Sequence, residues 1–183
     1  MQILESNLEE VKKKAESMSD FLRMEYLELC VIKFSDFYVL KYCYMELIKL
    51  YESRLLYQDA LKYLSKLQII TTSNLEKSEL FGKEVEILIK GGYYDRVDSA
   101  YKNAAKLIGN FYPIKRKMID LYKSEADKFE KGNKNYSLLK VYERLIPMLE
   151  GADRNEYQKK LIIVYDKLGK VRESLALEKN ISA

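Results

Sequence analysis

The sequence predicts an all-α chain of about 8–10 helices folded as antiparallel pairs, and three observations lead there. Glycines recur at positions 91 and 92, 109, 132, 151 and 169, each closing a stretch rich in Leu, Ile, Tyr and Lys. A glycine just past a periodic run suits the left-handed C-cap of a helix, because it takes positive φ without steric cost. Apolar residues return every three or four positions, and the two-residue alternation and Asn-Gly hairpin signals of strands are missing.

The elements follow in order. Ser6 with Glu9 reads as a capping box, and the same letters, Ser-Asn-Leu-Glu, recur at 73–76. Leu4, Leu8, Val11, Ala15, Met18 and Leu22 line one face of a first helix, which either continues through or breaks at Ser19-Asp20. Ser35-Asp36 introduces a helix to about Glu52, and the segment from Gln58 to about Ile70 ends in the polar cluster 71–74. Further helices are expected at about 75–90, 93–108, 113–131, 136–149, 154–168 and 171–180. Pro113 suits a first helical turn; Pro147 either ends a helix after Ile146 or begins one extra turn leading to Gly151. Gly109 and Gly151 then separate pairs, whereas Gly91-Gly92, Gly132 and Gly169 lie at the turns inside them.

Composition narrows the chemistry. The 183 residues fit one domain, residues 1–183, that buries roughly 70% of its unfolded surface. Histidine is absent, which removes imidazole catalysis, His-type metal sites and His-activated nucleophiles. Cys30 and Cys43 lie in the most apolar stretch and read as small buried hydrophobes. With no apolar leader core in residues 1–20 and charges interrupting 21–48, a cytoplasmic chain without a membrane span or cofactor is expected.

Pairing the helices brings out a repeat. Tyr44, Leu47 and Tyr51 close one helix, and Tyr57 and Ala60 open the next. Phe81, Val85 and Leu88, then Gly92, Tyr94, Val97 and Tyr101 with Ala104 and Ala105, form a second copy; Leu161, Ile162, Tyr165, Leu168, Gly169, Val171 and Ser174 form the last. A longer third pair carries Met118, Ile119, Tyr122, Ala126 and Phe129 on one helix and Tyr136, Leu139, Tyr142, Leu145 and Ile146 on the other. Over residues 41–180 this pattern resembles a divergent tetratricopeptide repeat, in the wider group that includes vesicle-fusion adaptors of the soluble attachment-protein type. The resemblance implies an α-α superhelix acting as a protein-interaction scaffold, with residues 1–35 as capping or dimerising helices and 36–180 as the pairs. It departs from the family at Ile48 and Leu67, where small residues are usual, and in its uneven spacing. A plain bundle of helical hairpins is the alternative fold.

The resemblance further implies that the first helices line a ligand groove. Carried over, the groove face holds Tyr42, Met45, Lys49, Glu86, Lys90, Arg116, Lys123, Lys159 and Lys167, a mostly basic set suited to an acidic peptide or protein surface. The asparagines of the family's carboxylate clamp do not occur on that face. Nucleic-acid binding is the competing reading. It rests on a net charge of +4 and on the runs Lys12-Lys13-Lys14 and Lys115-Arg116-Lys117, the second near Phe111 and Tyr112. An enzyme is not expected: the carboxylate pairs Glu9-Glu10 and Glu84-Glu86 have no phosphate loop, metal-ligand spacing or nucleophile elbow nearby. The apolar excess at Phe21, Leu22, Tyr26, Leu27, Leu29, Val31, Ile32 and Phe34 must meet either the first repeat or a second copy of the chain in a dimer.

Overall fold

In a computed structural model that describes residues 2–108 and 112–182, each polar cap in the sequence starts a helix, once with a one-residue shift. At the N-terminus the cap is Asn7 rather than Ser6. The Asn7 side chain accepts from the Glu10 amide at 3.1 Å, and the Glu10 carboxylate accepts from the Ser6 amide at 2.8 Å. Those Ser6 hydrogen bonds hold the Glu10 carboxyl below the usual carboxylate range. Helix α1 (Leu8–Glu16) therefore starts later than expected, and it stops before Ser19. Arg23 closes that end: its guanidinium donates to the carbonyl of Ala15 at 2.9 Å, which also accepts from the Met18 amide, and to that of Met18 at 3.1 Å. Of the expected apolar stripe, Val11 and Ala15 are buried, whereas Leu4 and Leu22 face solvent.

Nine more helices follow among the described residues: α2 (Asp20–Lys33), α3 (Phe37–Ser53), α4 (Tyr57–Ile70), α5 (Asn74–Lys90), α6 (Tyr94–Ile108), α7 (Tyr112–Lys131), α8 (Asn135–Leu145), α9 (Gly151–Lys167) and α10 (Val171–Ser182). Asp36 caps α3 through the Val39 amide and Ser73 caps α5 through the Glu76 amide, as the sequence indicated. Pro147 takes the second of its two options, inside a 3-10 turn over Ile146–Met148. That turn ends the preceding helix earlier than expected, and α9 begins at Gly151, whose φ of +56° makes it a helix opener rather than a closer. No helix among the described residues is long and apolar enough to cross a membrane.

Consecutive helices pack on one another, so the all-α arrangement of helix pairs holds: α3 with α4, α5 with α6, α7 with α8, α9 with α10, and α2 against α3. The chain divides into two compact units, residues 1–109 and 110–183. In the first unit Leu27, Leu47, Leu64, Leu67 and Leu88 are almost fully buried, with Ala60, Ala104 and Ala105 providing close approach between helices. In the second, Tyr122, Ala126, Val141, Tyr142 and Leu145 hold that role.

The four turns inside pairs share one hydrogen-bonded form. A left-handed residue occurs at Leu55, Gly92, Asn133 and Gly169. In each turn the next amide returns to the carbonyl five residues back: Leu56 to Tyr51, Tyr93 to Leu88, Lys134 to Phe129 and Lys170 to Tyr165, all at 2.9 Å. This is the Schellman closure, which satisfies the last carbonyls of the first helix. Glycine was a partial guide to it. Gly92 and Gly169 take the left-handed position, but at Gly132 the next residue, Asn133, does so, and the first pair uses Leu55. Gly109 lies outside the described residues.

Leu55 is the costly member of the series. Left-handed backbone costs an L-residue with a Cβ about 1–2 kcal/mol, and Leu55, 69% exposed, buries little in return. Leu55→Gly is therefore expected to raise stability by about 0.5–1 kcal/mol, part of the gain being offset by the freer unfolded chain. A urea midpoint that stays put or falls would reject the strain.

Candidate functional site

The shared turn supplies a common ruler for the first helices. Counting back thirteen residues from each left-handed residue gives Tyr42, Glu79, Asp120 and Glu156; ten gives Met45, Gly82, Lys123 and Lys159. Six gives Lys49, Glu86, Asp127 and Ile163; two gives Ser53, Lys90, Lys131 and Lys167. At 100° per residue these four positions fall on one side of a helix, and except for the buried Gly82 they are exposed or half-buried. Arg116 stands one turn earlier on the same side of α7, matching the exposed Tyr38 of α3 and Leu75 of α5.

The nine residues of the expected groove occupy these register positions, and the same positions carry acids outside that set. In the first unit Glu79 and Glu86 stand against Lys49 and Lys90, and in the second Asp120, Asp127 and Glu156 stand against Lys123, Lys131, Lys159 and Lys167, so these positions are mixed in charge within each unit. The Asn133 turn fixes the register that brings in Asp120 and Asp127, and Asn is the residue other than Gly that most readily accepts that backbone.

Many of the expected cations are also neutralised where they stand. In the first unit, Glu52 of α3 meets Lys83 of α5 at 2.8 Å and Lys90 at 3.8 Å, and Glu86 meets the same two lysines at 3.0 and 2.6 Å. Burial pulls the Lys83 ammonium down, yet its hydrogen bonds to Glu52 and Glu86 leave it above the usual lysine range. Lys41 of α3 reaches Glu76 of α5 at 3.0 Å, and Lys49 pairs with Glu46 of its own helix at 2.6 Å. Tyr42 is half-buried beneath the Lys12 ammonium, 6.0 Å from its ring centroid, and Met45 is 43% exposed.

The second unit repeats the stitching between its own first helices. Lys123 of α7 bonds Asp153 of α9 at 2.7 Å, a contact that holds the ammonium above its ordinary value. Lys123 and Lys160 lie 5.5 and 4.8 Å from the Tyr157 ring centroid, a cation–π arrangement. A cleft of about 330 Å³ lies beside this contact, lined by Lys115, Arg116, Ile119, Met148, Glu150 and Asp153 among others. Arg116, Lys159 and Lys167 are exposed and make no ion pair among the described residues.

One lysine of each basic run in the nucleic-acid reading also meets an acid. Lys12 pairs with Glu9 at 2.9 Å and Lys115 approaches Glu150 at 4.0 Å. Phe111 lies outside the described residues, as does the side chain of Tyr112. At the N-terminus, α2 spends Tyr26, Leu27 and Cys30 on packing next to α3 and leaves Phe21, Leu22 and Ile32 exposed, with Glu25 among them. Cys30 and Cys43 are both fully buried free thiols. Among the described residues no cluster of His, Cys, Asp or Glu could hold a metal ion. No protein-family model matches the chain, and no curated protein matches it.

Proposed function

We propose that this chain is a non-catalytic protein-interaction module, a scaffold or adaptor of tetratricopeptide-like type, whose first helices offer their open face to a partner polypeptide. The observation that carries the reading is the stripe Tyr38, Tyr42, Met45 and Lys49 on α3. These residues stay accessible along about three turns while Cys43, Tyr44, Leu47 and Ile48 of the same helix are buried. Tyrosine and methionine are enriched at protein interfaces because they give large contact area at low or adaptable conformational cost. In the second unit, Arg116, Lys159 and Lys167, with Lys123 beside its acidic partner, supply charge that an acidic stretch of the partner would meet. The open residues are interaction chemistry without a convergent nucleophile, base or metal set, which favours binding over catalysis.

The test is affinity capture from native cell extract with three baits: the full chain, Tyr38→Ala with Lys49→Glu, and Arg116→Glu with Lys159→Glu and Lys167→Glu. All substituted positions are exposed, so folding is retained. The wild-type chain is expected to retain a defined partner, and at least one variant to lose it by tenfold or more, the size of one interface hot spot. Capture indifferent to both variants would remove this face as the site.

A further inference from the structure

Between α3 and α5 lies a cleft of about 160 Å³ whose walls are Met45, Leu67, Thr71 and Leu80 and whose rim carries Lys41, Glu76 and Glu79. We infer that this cleft anchors one large apolar side chain of the partner, with a basic residue beside that side chain held by Glu79. The inference rests on the module reading above and deepens it.

Size gives the first step. Sites for small molecules and cofactors occupy roughly 300–1,000 Å³, so this cleft is too small for them and suits a single inserted side chain. Polarity gives the second. Leu67 and Thr71 are 2% and 1% exposed, and the Thr71 hydroxyl is already spent on the Leu67 carbonyl at 2.8 Å, so the inner wall makes no hydrogen-bond demand on a guest. Met45 stands half-open at the edge, where its flexible thioether adapts to different apolar shapes.

The rim decides the flanking charge. Lys41 is bound by both oxygens of Glu76 at 3.0 Å, which leaves Glu79 exposed with no ion pair among the described residues. Two carboxylates and one ammonium make the rim net acidic, so a lysine or arginine next to the anchor is attracted and an acidic neighbour repelled. Gly82 is buried in mid-helix on α5, three residues after Glu79 and in the register of Met45, where glycine costs about 1 kcal/mol against alanine. Nothing lies within 4 Å of a Cβ built there, so no packing within the chain requires glycine.

The experiment selects a display library of short random peptides on the full chain, on Glu79→Lys and on Met45→Glu, then measures the best wild-type peptide on each by fluorescence anisotropy. Thermal unfolding checks that both variants fold. Wild-type selection is expected to enrich a large apolar residue within two positions of Lys or Arg. Glu79→Lys should weaken that peptide roughly tenfold and turn the selected flank acidic, and Met45→Glu should remove the apolar preference. Enrichment of acidic flanks on the wild-type chain, or peptides indifferent to both substitutions, overturns the inference. If such indifferent peptides are lost on the Tyr38→Ala, Lys49→Glu variant, the cleft fails while the module reading stands. If no peptide is enriched and extract capture also retains nothing, both fail.

Discussion

Raising the pH above about 10 is expected to unfold the residue 1–109 unit steeply, and the residue 110–183 unit less so. Tyr26, Tyr51 and Tyr63 of the first unit are 1%, 8% and 5% exposed, and burial pushes all three phenols above the usual tyrosine range. The Glu28 carboxylate, which accepts from Tyr51 and Tyr63, adds to the shift by favouring the protonated form. Among the described residues the buried Tyr26 hydroxyl has no hydrogen-bond donor placed to stabilise its anion. In the second unit Tyr142, fully buried and donating to Glu130, is shifted the same way.

The sign follows from proton counts. Unfolded tyrosines lose their protons near pH 10 while the folded ones keep them, so above that pH the unfolded state binds fewer protons and stability falls as pH rises. The contribution is whole below the unfolded value and lost on the way up to the folded one. Each such tyrosine adds a slope of about 1.4 kcal/mol per pH unit, and burial also raises Tyr42 and Tyr44 in the first unit and Tyr157 and Tyr165 in the second, so five tyrosines act in the first unit against three in the second. Denaturant titrations at several pH values between 9 and 11.5, followed by phenolate absorbance, check this. Equal alkaline sensitivity in Tyr26→Phe with Tyr63→Phe and in the wild-type chain would contradict it.

How much of this was legible in the sequence depends on the range of each interaction. Helices at 37–53, 57–70, 74–90 and 171–182 follow from caps and three-to-four spacing, which are local, and their ends fall within one or two residues of expectation. The Ser6 cap failed by one residue because Asn7 is as good a cap and places Glu10 where its carboxylate reaches back. The register of the third pair needed Asn133 and that of the first needed Leu55, a residue no turn rule would choose. From that register came the missing acids of the candidate face. The ion pairs of Lys83 and Lys90 with Glu52 join residues more than thirty positions apart, so no local pattern could reveal them, whereas the Glu86–Lys90 pair spans one helical turn and is local. The same distance hid Glu28, which in the sequence only interrupts an apolar stretch.

Replacing Glu28 is expected to have the largest effect of any single substitution in the first unit. One oxygen of its carboxylate accepts from both Tyr51 of α3 and Tyr63 of α4, each at 2.7 Å, while the two rings stack with centroids 5.6 Å apart. The carboxylate thereby ties α2 to the first pair. Glu28→Leu removes two hydrogen bonds to a charged acceptor and leaves two buried phenols without a partner, a cost of about 3–6 kcal/mol at roughly 1.5–3 per bond. Glu28→Gln keeps a neutral acceptor and should lose about half as much. The distinguishing step is rescue. In the Glu28→Leu background, Tyr51→Phe with Tyr63→Phe should recover most of the loss, because removing both sides of a buried hydrogen bond is far milder than orphaning one. Denaturant midpoints at pH 7 measure all three variants, and amide exchange along 20–33 shows whether α2 is released when the tie is cut. A rescue that fails, with Glu28→Leu still destabilised, would mean that α2 is held by its apolar contacts at Tyr26, Leu27 and Cys30 and that the carboxylate tie is secondary. A rescue that succeeds makes α2 part of the first unit's own core, and the exposed Phe21, Leu22 and Ile32 are then the outer side of a docked helix rather than the reason it folds.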